Sequence, residues 1–194
     1  MLIQNLSAEQ FCDWFVGGVQ AMCGDPEKDL SRAFEPVASI GHSREFDWVY
    51  EVTQVIKPLA ARESCVLGLR RGIIILAQEV NDSNYTSLDT AMIIADDTKC
   101  INVSTIRSVF EKLINKDLEP NVRTHLISRC GLCTFNTNVG EREDAKPLLM
   151  AILKTLNFPV VDKLRERVIE FGIDPSEITG ADAPLGFQLG PRVQ

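Results

Sequence analysis

Two cysteines three positions apart, Cys130 and Cys133, with His125 just upstream, are the residues of this chain best suited to chemistry. A C-x-x-C spacing lets two thiolates grip zinc or iron, or cycle through a disulfide, so the pair is the candidate centre of a thiol- or metal-dependent enzyme. The helix that carries them limits this reading. At about 100° per residue, His125 points about 140° away from Cys130, and it stands two turns from Cys133, so it cannot complete their coordination. The sequence holds no second C-x-x-C and no H-x-x-H pair. Both cysteines instead continue an apolar stripe begun by Val122 and Leu126, where a thiol behaves as a small hydrophobe. The expectation is a buried structural pair, with no cofactor and no catalytic residue assigned.

Other reactive side chains are scattered. His42 with Cys65 or Asp47 has the types needed for a nucleophile and its base, but no spacing brings them together. P-loop, G-x-G-x-x-G, G-x-S-x-G and H-E-x-x-H signatures are absent from the sequence. Arg62, Arg70 and Arg71 fall on one helix and suit either an acidic partner surface or a solvated face. Trp14 and Trp48 lie at the margins of apolar faces, as core edges or as interface anchors. Leu185, Phe187 and Leu189 alternate along a Gly/Pro-rich stretch, a pattern that suits an extended segment docking on its own domain or on a neighbour's. Trp14, Trp48, Arg70, Arg71, Leu185, Phe187 and Leu189 are thus the partner-binding candidates.

The elements that position these residues are helices. Ser7 and Gln10 form a capping box ahead of a stripe of Phe11, Phe15, Gly18, Val19 and Met22. Gly17 and Gly18 inside that helix imply a close backbone approach or a bend. Asp25 and Pro26 open a second helix with Leu30, Phe34, Val37 and Ile40, interrupted at Pro36. Ser43 caps a third through Ile56, broken by Pro58. Leu59, Val66, Leu69, Ile73, Leu76 and Val80 repeat in steps of three, four or seven, which favours helix over a buried strand for the aliphatic run at 73–76. Ser87 starts a short helix with Leu88, Ala91, Met92 and Ala95 inward.

Ser104 caps the clearest unit, a hairpin from Ile106 to Cys133 whose joint at Asp117 to Pro120 is too short for anything but antiparallel helices. Asp144 caps the next helix, with Pro147 in its first turn and Leu148, Leu149, Ile152 and Leu156 on its face. Pro159 restarts the chain into Leu164, Val168 and Phe171, ended by Gly172, and Asp174, Pro175 and Glu177 cap one more turn. The fold expected is all-α, about eight to nine helices in stacked antiparallel hairpins, HEAT-like or an irregular bundle. Residues 1–179 form one domain, with 1–41 as a candidate subdomain, and 180–194 form an extended tail.

With 194 residues, 45% hydrophobic and 24% charged, the chain can bury a large core. A net charge of -7 argues against free nucleic acid as a ligand, since phosphate binding needs a concentrated basic face. Residues 1–50 hold eight acidic and three basic side chains, a surface for a basic partner or a solubilising face. The first thirty residues show no secretory h-region and the longest aliphatic run is far too short for a bilayer, so a cytoplasmic protein with reduced thiols and no membrane contact is expected.

The segment Asp117-Leu118-Glu119-Pro120-Asn121-Val122-Arg123 between two amphipathic helices resembles the turn and second-helix start of HEAT/armadillo-like repeats. Ser7 to Phe15, reading SAEQFCDWF, is similar to the openings of some small tailed-phage accessory proteins. The HEAT resemblance implies a surface presented to a protein partner and no active site. It makes a non-enzymatic interaction module the leading expectation: an adaptor, an assembly subunit or an acidic inhibitor of a basic partner. The alternatives are a homo-oligomeric or phage-encoded assembly joined through the tail, and the thiol or metal enzyme centred on Cys130 and Cys133.

Overall fold

The first helix begins where its capping box places it. Ser7 Oγ accepts the Gln10 amide at 3.2 Å while Gln10 Oε1 accepts the Ser7 amide at 3.0 Å, so two amide donors at the helix entry are satisfied reciprocally. The computed structural model describes residues 3–24, 48–156 and 162–178. Within them the protein is all-α, with nine α-helices and no strand. These are α1 (Ala8–Gly24), α2 (Trp48–Ile56), α3 (Glu63–Glu79), α4 (Tyr85–Asp97), α5 (Val103–Ile114), α6 (Pro120–Phe135), α7 (Arg142–Leu156), α8 (Asp162–Glu170) and α9 (Pro175–Ile178). The helix expected from Asp25 to Ile40, the Ser43 cap, Pro159 and the 180–194 tail lie outside the described residues, as does the second half of the 1–41 subdomain, from Asp25 onward.

Facing residues fix the stacking. Tyr85, Asp89, Met92 and Asp96 of α4 meet His125, Arg129, Cys133 and Asn136, in a constant register of 40–41 residues. Helices α4 and α6 therefore run side by side in the same direction. Arg70 and Gln78 of α3 reach Cys100 and Lys116, on either side of α5, and Val103 and Arg107 of α5 reach Glu141 and Asp144 at the start of α7. So α3, α5 and α7 also run in one direction, and α4 and α6 return between them as antiparallel hairpin partners.

Helix α1 lies parallel to α3, in the most extensive helix pairing among the described residues. Gly68 and Gly72, one turn apart on α3, make that approach possible. A Cβ at Gly68 would stand 2.5 Å from the Ala8 carbonyl oxygen, 2.9 Å from Phe11 Cβ and 3.0 Å from the Cys12 amide nitrogen. At Gly17, by contrast, nothing lies within 4 Å, so the close approach expected in this helix does not fall there, while Gly18 beside it is buried. The seam Leu69, Ile73 and Leu76 is buried and helical throughout. One apolar cluster joins Phe11, Phe15, Ile73, Met92, Ile106, Leu126, Leu149 and Val168.

Several boundaries differ from expectation. Helix α4 starts at Tyr85, and Ser87 is buried in its first turn. The polar turn before it closes on itself through Asn81 Oδ1, which accepts Ser83 N at 2.9 Å, and Asn84 Oδ1, which accepts Asn81 N at 2.7 Å. Asn102, not Ser104, caps α5: its Oδ1 accepts both the amide and the hydroxyl of Thr105, at 3.0 and 2.6 Å. A 3-10 turn, Val139–Glu141, feeds straight into α7, so Asp144 lies in the first turn and Pro147 inside the helix.

The helix ends follow known closures. Gly172 takes φ +85°, with its amide bonded to the Ile169 carbonyl and the Ile173 amide to that of Val168, which ends α8 in a Schellman motif. The same motif ends α4, but its left-handed position is Lys99, at φ 58°. Asp174 Oδ1 accepts the Ser176 amide at 2.9 Å and starts α9. That bond holds the Asp174 carboxyl below its ordinary range.

Candidate functional site

Cys130 and Cys133 stand on the inner face of α6 and are 0% and 1% exposed. Cys133 Sγ points at the Met92 carbonyl of α4, 3.9 Å away. Burial pushes the Cys130 thiol up to about 12. It raises Cys133 as well, with the Asp96 carboxylate adding to the effect. Burial thus favours the protonated thiol at both positions, which works against thiolate chemistry there. All six cysteines are free, and among the described residues no group of three or more His, Cys, Asp and Glu side chains is placed to hold a metal ion.

His125 turns away from the thiols, as the helical angle requires. Its Nε2 lies 3.1 Å from Asp89 Oδ2 on α4, and its ring meets Tyr85 edge-on at 5.8 Å. Arg129, one turn further along α6, donates from Nε to the other carboxylate oxygen at 2.7 Å. One α4 carboxylate thus accepts a hydrogen bond from Arg129 and lies beside the His125 ring of the preceding turn, in a geometry that clamps the helices. A second polar tie closes the far end of this pair, where Asn136 Nδ2 donates to Asp96 Oδ2 at 2.7 Å. Burial still holds the Asp96 carboxyl above its ordinary value, although Asn136 and Lys99 oppose the shift.

The arginines divide by role. Arg62 donates to the Gln4 carbonyl. Arg70 is half-buried, and its Nε donates to the Cys100 carbonyl at 2.7 Å, tying α3 to the loop before α5. Arg71 is exposed. Trp14 is partly buried against Phe11, their rings 5.3 Å apart and tilted by 56°. The Trp48 side chain, His42, Asp47, Leu185, Phe187 and Leu189 lie outside the described residues.

Two features had no sequence signal of their own. Phe135 of α6 and Phe171 after α8 meet edge-to-face at 5.8 Å, with Arg167 stacked 4.6 Å over Phe135 and Arg142 5.7 Å over Phe171. This four-membered stack fastens α8 to α6 and α7. The second is an open groove of about 600 Å³ on the outer side of α7, lined by Lys146, Met150, Lys154, Ile173 and Glu177 among others. Lys146 Nζ is held there by Glu143 Oε1 at 2.7 Å.

Among the described residues no helix is long and apolar enough to cross a membrane. No family model matches the chain, and no curated protein or solved structure is detectably similar to it.

Proposed function

We propose that this chain is a non-enzymatic protein–protein interaction module, a helical adaptor or assembly subunit with a protein partner of basic character. The observation that carries the reading is the enclosure of its best chemical motif. Cys130 and Cys133 are sealed in the core with burial favouring the protonated thiols, whereas Leu67, Leu132 and Val139 are 40%, 42% and 76% exposed on outer faces. Side-by-side contacts at separations of 30–41 residues between helices of like direction support the HEAT-like part of the proposal. The net charge of -7 supports a basic partner. Six free thiols accord with a reducing, cytoplasmic setting.

The rival enzyme reading makes a different prediction for the same two residues. In the native protein a thiol reagent should leave Cys130 and Cys133 unlabelled, and metal analysis should find no stoichiometric zinc or iron. Metal present in the purified protein and lost from a Cys130→Ser, Cys133→Ser variant would overturn the proposal. The positive half is tested by cross-linking in the native cell and reconstitution from purified components. A stoichiometric complex with a basic protein, weakened by added salt, is expected. Failure to reconstitute any such complex would count against the partner assignment.

A further inference from the structure

We draw no further inference here: the strongest candidate, the open groove on the outer side of α7 lined by Lys146, Met150, Lys154 and Ile173, carries nothing because nothing in the structure shows what covers it.

Discussion

Gly68→Ala should destabilise the protein even though it places the best helix former in the middle of a helix. Alanine in place of a helical glycine gains about 1 kcal/mol of helix propensity. Against that gain, the new methyl would meet the Ala8 carbonyl oxygen at 2.5 Å and the Cys12 amide nitrogen at 3.0 Å. Backbone atoms have no rotamer to escape into, so α1 must lift from α3 as a body. Overpacking of this kind costs about 1–3 kcal/mol. Lifting α1 also loosens Phe11 and Phe15, both 0% exposed, and a gap of 0.5–1 Å forfeits a quarter to a half of each lost dispersion contact. Because the clash is with backbone, the overpacking cost falls at its upper end of about 3 kcal/mol, and subtracting the propensity gain leaves a net destabilisation of about 2 kcal/mol.

The matched control is Gly17→Ala on α1, where nothing lies within 4 Å. Only the propensity term remains there, so this variant should gain about 1 kcal/mol. Gly72→Ala should fall between the two, because its Cβ would meet only side-chain atoms, Phe15 Cδ1 and Val16 Cγ2, at 3.0 Å. Urea titration followed by helical circular dichroism reads all three. With a slope of about 2 kcal/mol per M, the midpoint should fall by about 1 M for Gly68→Ala and rise by about 0.5 M for Gly17→Ala. A Gly68→Ala midpoint at or above that of the wild type would refute the close packing of α1 on α3.

Other positions give independent checks. Lys99→Gly removes the Cβ from a left-handed residue and should stabilise by about 0.5–1 kcal/mol, raising Tm by a few degrees; an unchanged or lowered Tm would argue against the Schellman closure of α4. Asp89→Ala removes the acceptor of Arg129 and the carboxylate beside His125, and because both partners are partly exposed the loss should be about 1 kcal/mol, smaller at high salt; no change in urea midpoint would remove the clamp. The buried Cys130 thiol, with its folded pKa raised to about 12, contributes stability that is fully present below about pH 9 and lost as pH rises through 12. In that window an unfolded thiolate gains about 1.4 kcal/mol per pH unit over the folded thiol. The alkaline limb of stability against pH should therefore be shallower in Cys130→Ala, and parallel limbs would contradict the burial.

Sequence periodicity made the helices legible because a buried stripe constrains many residues at once. The inward positions of Leu69, Ile73, Leu88, Met92, Ile106, Val109, Leu126 and Leu149 all follow from it. Local punctuation was legible for the same reason that it works: Ser7, Pro58, Gly172 and Asp174 act on the backbone within four residues. Competition between neighbouring caps was not. Asn102 and Ser104 are both capping residues, and the choice fell to Asn102 because its carboxamide can take two donors from Thr105. Contacts at a separation of about 40 residues were also illegible, so the Asp89, His125 and Arg129 clamp needed the register of α4 on α6. The Gly68 and Gly72 pair did leave a signal, a glycine one residue before each of the seam residues Leu69 and Ile73.

Basic side chains illustrate why surface charge read from sequence overstates binding potential. Helix ends leave carbonyls without intrahelical donors, and in this fold cations supply several of them. Lys116 reaches the Gln78 and Val80 carbonyls at the end of α3, and Arg70 reaches that of Cys100 after α4. Arg70 and the adjacent Arg71 are therefore different experiments. Arg70→Ala strands a carbonyl in a nearly buried residue and should cost about 2 kcal/mol, so any loss of partner binding in that variant confounds stability with recognition. Arg71→Ala is a change at an exposed position and should stay within about 0.5 kcal/mol of the wild type. A change in partner binding by Arg71→Ala, at an unchanged urea midpoint, would assign that face of α3 to the interface. Equal stability of the two variants would instead show that the Arg70 tie does not hold α3 to the loop before α5.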